Sequence, residues 1–148
     1  MSRHFRTVLD RTILYAEREW NSEILGKRGR INTPMNEDVR TLIDELVQKI
    51  VENYAPEKIV LYGSYAHGTP RGDSDVDLFI VKETSANRSE RWVELKRLLW
   101  DKNRDIPVSP IVYTPMELRE RLALGDFFVK EIMDTGRVLY ERGSQRVD

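Results

Sequence analysis

Two short groups of residues in this chain have the types and spacing that phosphate chemistry needs. The first is Gly63-Ser64, which ends the apolar run Ile59-Val60-Leu61-Tyr62 and leads into Tyr65-Ala66-His67-Gly68. A strand ending in such a turn presents backbone N–H groups to an anion, glycine lets a phosphate approach closely, and the serine adds a hydroxyl donor. The second is Asp75-Val76-Asp77, at the start of the run that continues as Leu78-Phe79-Ile80-Val81. Two apart on a strand, the aspartates share a face with Cα atoms roughly 7 Å apart. At an effective dielectric of about 20, two carboxylate charges about 6 Å apart repel by roughly 3 kcal/mol. A structural strand gains nothing from that repulsion, and a divalent cation relieves it. Mg²⁺ suits carboxylate ligands combined with substrate phosphate oxygens. Each group taken alone also fits a plainer account: a simple strand-to-helix turn for the first, a solvated acidic face or turn chemistry in Asp73-Ser74-Asp75 for the second.

The elements around them must hold the two groups in place. Val39, Leu42, Ile43, Leu46, Val47, Ile50 and Val51 recur at helical spacing, with Asn36 as N-cap and Glu37 and Asp38 complementing the dipole. Ala55-Pro56-Glu57 ends that helix, and the strand 59–62 follows. Alternation across 75–81 predicts a second strand. Ser89 to Asn103 reads as a helix with Trp92, Leu95, Leu98 and Leu99 on one face. Ile106 to Tyr113 is a strand whose two prolines suit a sheet edge. Thr114-Pro115-Met116-Glu117 has the form of a capping box with proline at the first helical position. Phe127, Phe128, Ile132 and Met133 then supply a last apolar face before Gly136 stops the helix. The order is that of an α/β (α+β) domain, with helices on a small mixed sheet.

Composition bounds the rest. At 148 residues one domain is expected, and a separate substrate domain is not. Residues 1–34 read as an N-terminal extension and linker that includes a loose helix, 35–142 as the domain, and 143–148 as a tail. Formal charge is −1, so no basic field gathers a polynucleotide, and a long nucleic-acid substrate is disfavoured. The chain has no cysteine, which removes thiolate nucleophiles, disulfides and cysteine zinc sites. It carries two histidines, His4 and His67, too few and too far apart in sequence for a convincing histidine metal site. No apolar run approaches membrane-spanning length, and the first twenty residues lack a secretory signal pattern, so a cytoplasmic location is expected.

Gly63-Ser64, ten intervening residues and then Asp75-x-Asp77 on the next strand resemble the signature of the DNA polymerase beta-type nucleotidyltransferase superfamily. The closer likeness is to its minimal nucleotidyltransferase (MNT) family, whose members pair as antitoxins with HEPN-domain toxins. It covers most of residues 35 to 142, including PEKIVLYGSYAHG, GDSDVDLFIV, VSPIVYTPMEL and ALGDFFVKEIMDTGRVLYE. The resemblance implies a polymerase beta-like fold with its helices mainly on one face of the sheet. It implies transfer of NMP, AMP from ATP, to a hydroxyl group, a tyrosine of a HEPN-type partner being the family's example. Gly63 and Ser64 would contact the leaving phosphates, and Asp75 and Asp77 would bind Mg²⁺. Arg71 is a further candidate for the triphosphate, set against a solvated arginine in a Pro-Arg-Gly turn. Active members carry a third carboxylate on the next strand; here Ser109 aligns with it, and Asp105 is the nearest acid. Four residues of extended chain separate them, about 13 Å, against roughly 4 Å between paired metals. A catalytically impaired antitoxin that acts by stoichiometric binding is therefore the alternative function.

Overall fold

The computed structural model describes residues 37–70, 74–102 and 106–143. The expected N-terminal extension, Arg71, Asp73 and Asp105 lie outside the described residues. The chain runs α1 (Glu37–Tyr54), β1 (Lys58–Tyr62), α2 (Ser64–His67), β2 (Val76–Val81), α3 (Arg88–Leu98), β3 (Val108–Tyr113), α4 (Pro115–Ala123), α5 (Phe127–Thr135) and β4 (Arg137–Glu141). Four strands form one sheet in the order β3-β2-β1-β4. β1 is antiparallel to β2 and β4, while β2 and β3 are parallel, so the sheet is mixed, as expected. Among the described residues no helix is long and apolar enough to cross a membrane.

Strand parity sorts the core into two layers. Ile59 and Leu61 of β1, Val76, Leu78 and Ile80 of β2, and Val108 and Val112 of β3 face the larger layer. There they meet Ile43, Leu46, Val47, Ile50 and Val51 of α1, whose spacing places them on one stripe, together with Leu95 and Leu99 of the α3 region. Val60, Phe79, Val81 and Tyr113 face the opposite side and are covered by Val129 and Ile132 of α5, with Leu118 of α4 against them. Asp77 shares the parity of Phe79 and Val81, and Ser109 that of Ile111 and Tyr113. Both therefore belong to the second, smaller face.

Local chemistry explains most boundaries. Ala55, at φ 50, takes the left-handed conformation that ends α1, and Pro56 follows. Asn87 and Glu90 form a capping box at α3, as Thr114 and Glu117 do at α4, the latter with proline in the first turn.

The structure departs from sequence expectation in four places. The single closing helix is two helices, because Gly125 at φ 77 leaves helical geometry and Asp126 then caps α5 by accepting from Val129 N–H. The strand β4 was not expected; Arg137 and Glu141 at its ends mask a core of only Val138-Leu139-Tyr140, and pairing with β1 supplies what the short run lacks. Trp92 is 51% exposed, whereas Arg91 is buried. Arg91 can be buried because Nε donates to Ala86 O at 2.7 Å and Nη1 to Val112 O and Glu117 Oε1 at 3.1 and 2.7 Å. Finally, Phe127 and Phe128 do not join Ile132 in the core. Phe127 is 84% exposed and Phe128 48%.

Candidate active site: a glycine turn against paired aspartates

β1 and α2 build one wall. Gly63 adopts φ 78 and ψ −159, a conformation essentially confined to glycine. Its carbonyl oxygen accepts from Ala66 and His67 N–H at 3.1 and 3.2 Å, which wraps the chain into the short helix, and no side chain caps that helix start. Tyr65 and Ala66 are buried in the larger core, and Arg137 Nε of β4 donates to Ala66 O at 2.8 Å, so the turn is anchored from both sides. His67, at the end of α2, is exposed. A Cβ built on Gly63 would overlap Oδ2 of Asp77. Two residues fourteen positions apart in sequence thus stand in direct approach, with only the missing side chain making room.

β2 and β3 build the other wall. Asp77 sits opposite Tyr62 in the antiparallel register and opposite Ser109 in the parallel one. Its carboxylate is half-buried, and burial first, then the charge of Asp75, raises its pKa. Asp75 lies just ahead of β2, where Val76 N–H donates to Pro107 O at 2.8 Å. It is exposed, and its Oδ2 accepts from Ser109 Oγ at 2.9 Å. The negative field reaches two tyrosines. Tyr62 is pushed up to about 12 by burial, then by Asp77 and Tyr113. Tyr65 is raised by burial and then by Asp75.

Of the residues that the sequence singled out, Gly63, Asp75, Asp77 and Ser109 come together, with the half-buried Ser64 following Gly63 in the turn. Sequence reasoning missed the aromatic border: the Phe128 ring meets Tyr62 edge-on, with centroids 5.7 Å apart. An exposed Phe-Phe pair directly after a helix cap was the available signal.

The donor set fits a divalent cation of a particular kind. Among the described residues no group of three or more His, Cys, Asp or Glu could hold a metal unaided. Two adjacent carboxylates, one of them half-buried, suit an ion whose remaining ligands arrive on a phosphate-bearing substrate.

The family model described as Polymerase beta, Nucleotidyltransferase matches residues 45–145. A protein of Methanocaldococcus jannaschii named "Putative protein adenylyltransferase" is 32% identical over 85 residues, covering 54% of this chain. The chain spans only 58% of that relative's length. A solved structure described as "Crystal structure of the toxin-antitoxin with AMP-PNP" is similar at 22% identity and a TM-score of 0.49, over 68% of this chain and 75% of that one. That likeness is too slight to carry a ligand or a partner across.

Proposed function

Starting from the fact that the chain belongs to the polymerase beta nucleotidyltransferase family, we propose that it is a protein nucleotidyltransferase of the minimal type, moving AMP from ATP to a hydroxyl group of a partner protein. The observation that carries this reading is the side-chain-free turn at Gly63 against the Asp77 carboxylate, with Asp75 beside it. The relative's name supports adenylyl transfer to protein.

In this reading Gly63 lets a triphosphate pass close to the backbone, and Ser64 Oγ donates to one of its oxygens. Arg71 adds positive charge for the triphosphate. Asp75 and Asp77 would hold Mg²⁺, which would supply charge neutralisation for the phosphates. The acceptor oxygen forms a bond to the α-phosphorus as the bond to the bridging oxygen breaks, pyrophosphate leaves, and the hydroxyl proton passes to solvent. Such catalysis is chiefly positioning and electrostatics, which a small scaffold can supply. The partner is a HEPN-type toxin, the acceptor one of its tyrosines, and the chain its antitoxin in the cytoplasm.

A second reading, a binding antitoxin with a vestigial site, is favoured by one observation: the residue opposite Asp77 on β3 is a serine rather than an acid. One experiment separates the two. The protein is incubated with Mg²⁺, ATP labelled at the α-phosphate and the protein encoded beside it. Label on the neighbour, lost in Asp77→Ala, supports transfer. Neutralisation of the neighbour without label, unchanged in Asp77→Ala, overturns it in favour of binding.

A further inference from the structure

We propose that Ser109 is a positioning residue, whose hydroxyl holds the Asp75 carboxylate in line with Asp77 so that the two act as one cation site. The inference rests on the functional reading above and goes beyond it by assigning the serine a task of its own. Asp77 is held by its surroundings: it lies within β2, paired with Tyr62 on one side and Ser109 on the other, half-buried and against Gly63. Asp75 has no such support. It precedes the strand and is exposed, and the bond from Val76 N–H to Pro107 O fixes neighbouring backbone but leaves its side chain free to rotate. Ser109 Oγ, donating to Asp75 Oδ2 at 2.9 Å, supplies the missing restraint.

The serine is well placed for this. Ser109 precedes Pro110, which confines it to extended backbone, and Pro107 lies two residues earlier. The parallel register sets it level with Asp77, and from there it reaches back to Asp75. A hydroxyl also does what an acid at this position could not do when ionised. It donates to Asp75 without adding a third negative charge beside Asp75 and Asp77. It engages one carboxylate oxygen and leaves the other for the cation.

The test is Mn²⁺ binding to the full chain, read with ATP absent and present and compared under the condition in which the native protein binds, followed by electron paramagnetic resonance, in the native protein, Ser109→Ala, Ser109→Thr, Asp75→Ala and the Ser109→Ala/Asp75→Ala double variant. Thermal unfolding of each variant is read alongside. A hydrogen bond to a charged group is at stake, so Ser109→Ala is expected to weaken Mn²⁺ binding about tenfold. Ser109→Thr, which keeps the hydroxyl, should restore it. In the Asp75→Ala background the further loss of Ser109 should change nothing, a coupling that a general packing role would not produce. Equal affinity of the native protein and Ser109→Ala would overturn the proposal, as would equal losses in the Ala and Thr variants or additive losses in the double variant. Absence of Mn²⁺ binding to the native protein, with ATP present as well as absent, would instead overturn the functional reading, and this inference with it.

Discussion

The two faces of the sheet use the same strands and are closed in different ways. On the larger face, α1 and α3 cover β1, β2 and β3 along their whole length, and the facing residues are apolar from Val76 through Leu78 to Ile80. On the smaller face, α5 and α4 cover Val60, Phe79, Val81 and Tyr113 only. Where that cover stops, the same parity continues with Asp77 on β2 and Ser109 on β3, and Tyr62 and Phe128 form the border. A face packed end to end has no place for a substrate. A face packed at one end offers carboxylates held by a rigid sheet and still open to solvent, which is the physical reason for placing the candidate site on the poorer side of the core.

The sharpest way to break that comparison is to remove a site group and a core group and ask which property each controls. Asp77→Ala should lower nucleotidyl transfer at least about a thousandfold while leaving the thermal unfolding midpoint intact or raised, measured by label transfer and calorimetry. Leu46→Ala, on the fully covered face, should cost about 2–5 kcal/mol in denaturant unfolding, because a cavity is left that the packed layer cannot close. Gly63→Ala touches both properties. It should cost about 1–3 kcal/mol for a side chain at a glycine-only conformation and also displace the Asp77 carboxylate, so stability and Mn²⁺ affinity should fall together. If Gly63→Ala bound Mn²⁺ normally, the turn and the carboxylate would not form one site.

A smaller effect has the opposite sign. The folded-state pKa of Asp77 is raised above its unfolded value, so the folded state binds the proton more tightly than the unfolded chain does. Stability is then greatest below the unfolded pKa and falls as pH rises through the folded one. Asp77→Asn should flatten that part of the pH–stability profile and stabilise the protein at neutral pH by on the order of 1 kcal/mol, while abolishing cation binding. Cation binding needs the ionised form, so acidification should weaken it at a higher pH than an ordinary carboxylate would allow. Least of all, Phe128→Ala should cost about 1 kcal/mol or less, for the edge-on contact with Tyr62, as measured by denaturant unfolding.

Much of the candidate site was legible before any coordinates. Gly63, Asp75 and Asp77 announce themselves by type and spacing, and Ser109 by its alignment with an expected acid. The helix α1, the capping box at Thr114 and Glu117 and the strands β1 to β3 follow from signals only a few residues long; the second box, Asn87 with Glu90, was not read. The misses have a common cause. Arg91 is buried and Trp92 exposed because Ala86, Val112 and Glu117 converge on the guanidinium, which helical spacing cannot foretell. β4 exists because β1 had a free edge to pair. Phe127 and Phe128 stay exposed while Val129 and Ile132 of the same helix are buried against Val60 and Phe79, a docking choice that local spacing does not specify. The break at Gly125-Asp126 is different, since glycine followed by a capping residue was a local signal and was readable.

By itself, the sequence determined the elements and the chemical groups they carry, because periodicity, caps and turns act within a turn of helix or a few strand residues. Only the tertiary structure decided which of those groups meet. Ser109 and Asp75 are 34 residues apart, and they are joined by a parallel register that local preference does not specify. Gly63 meets Asp77 because β1 and β2 pair so that Tyr62 faces it, and a shift of one residue would turn the aspartate into the opposite, fully packed layer.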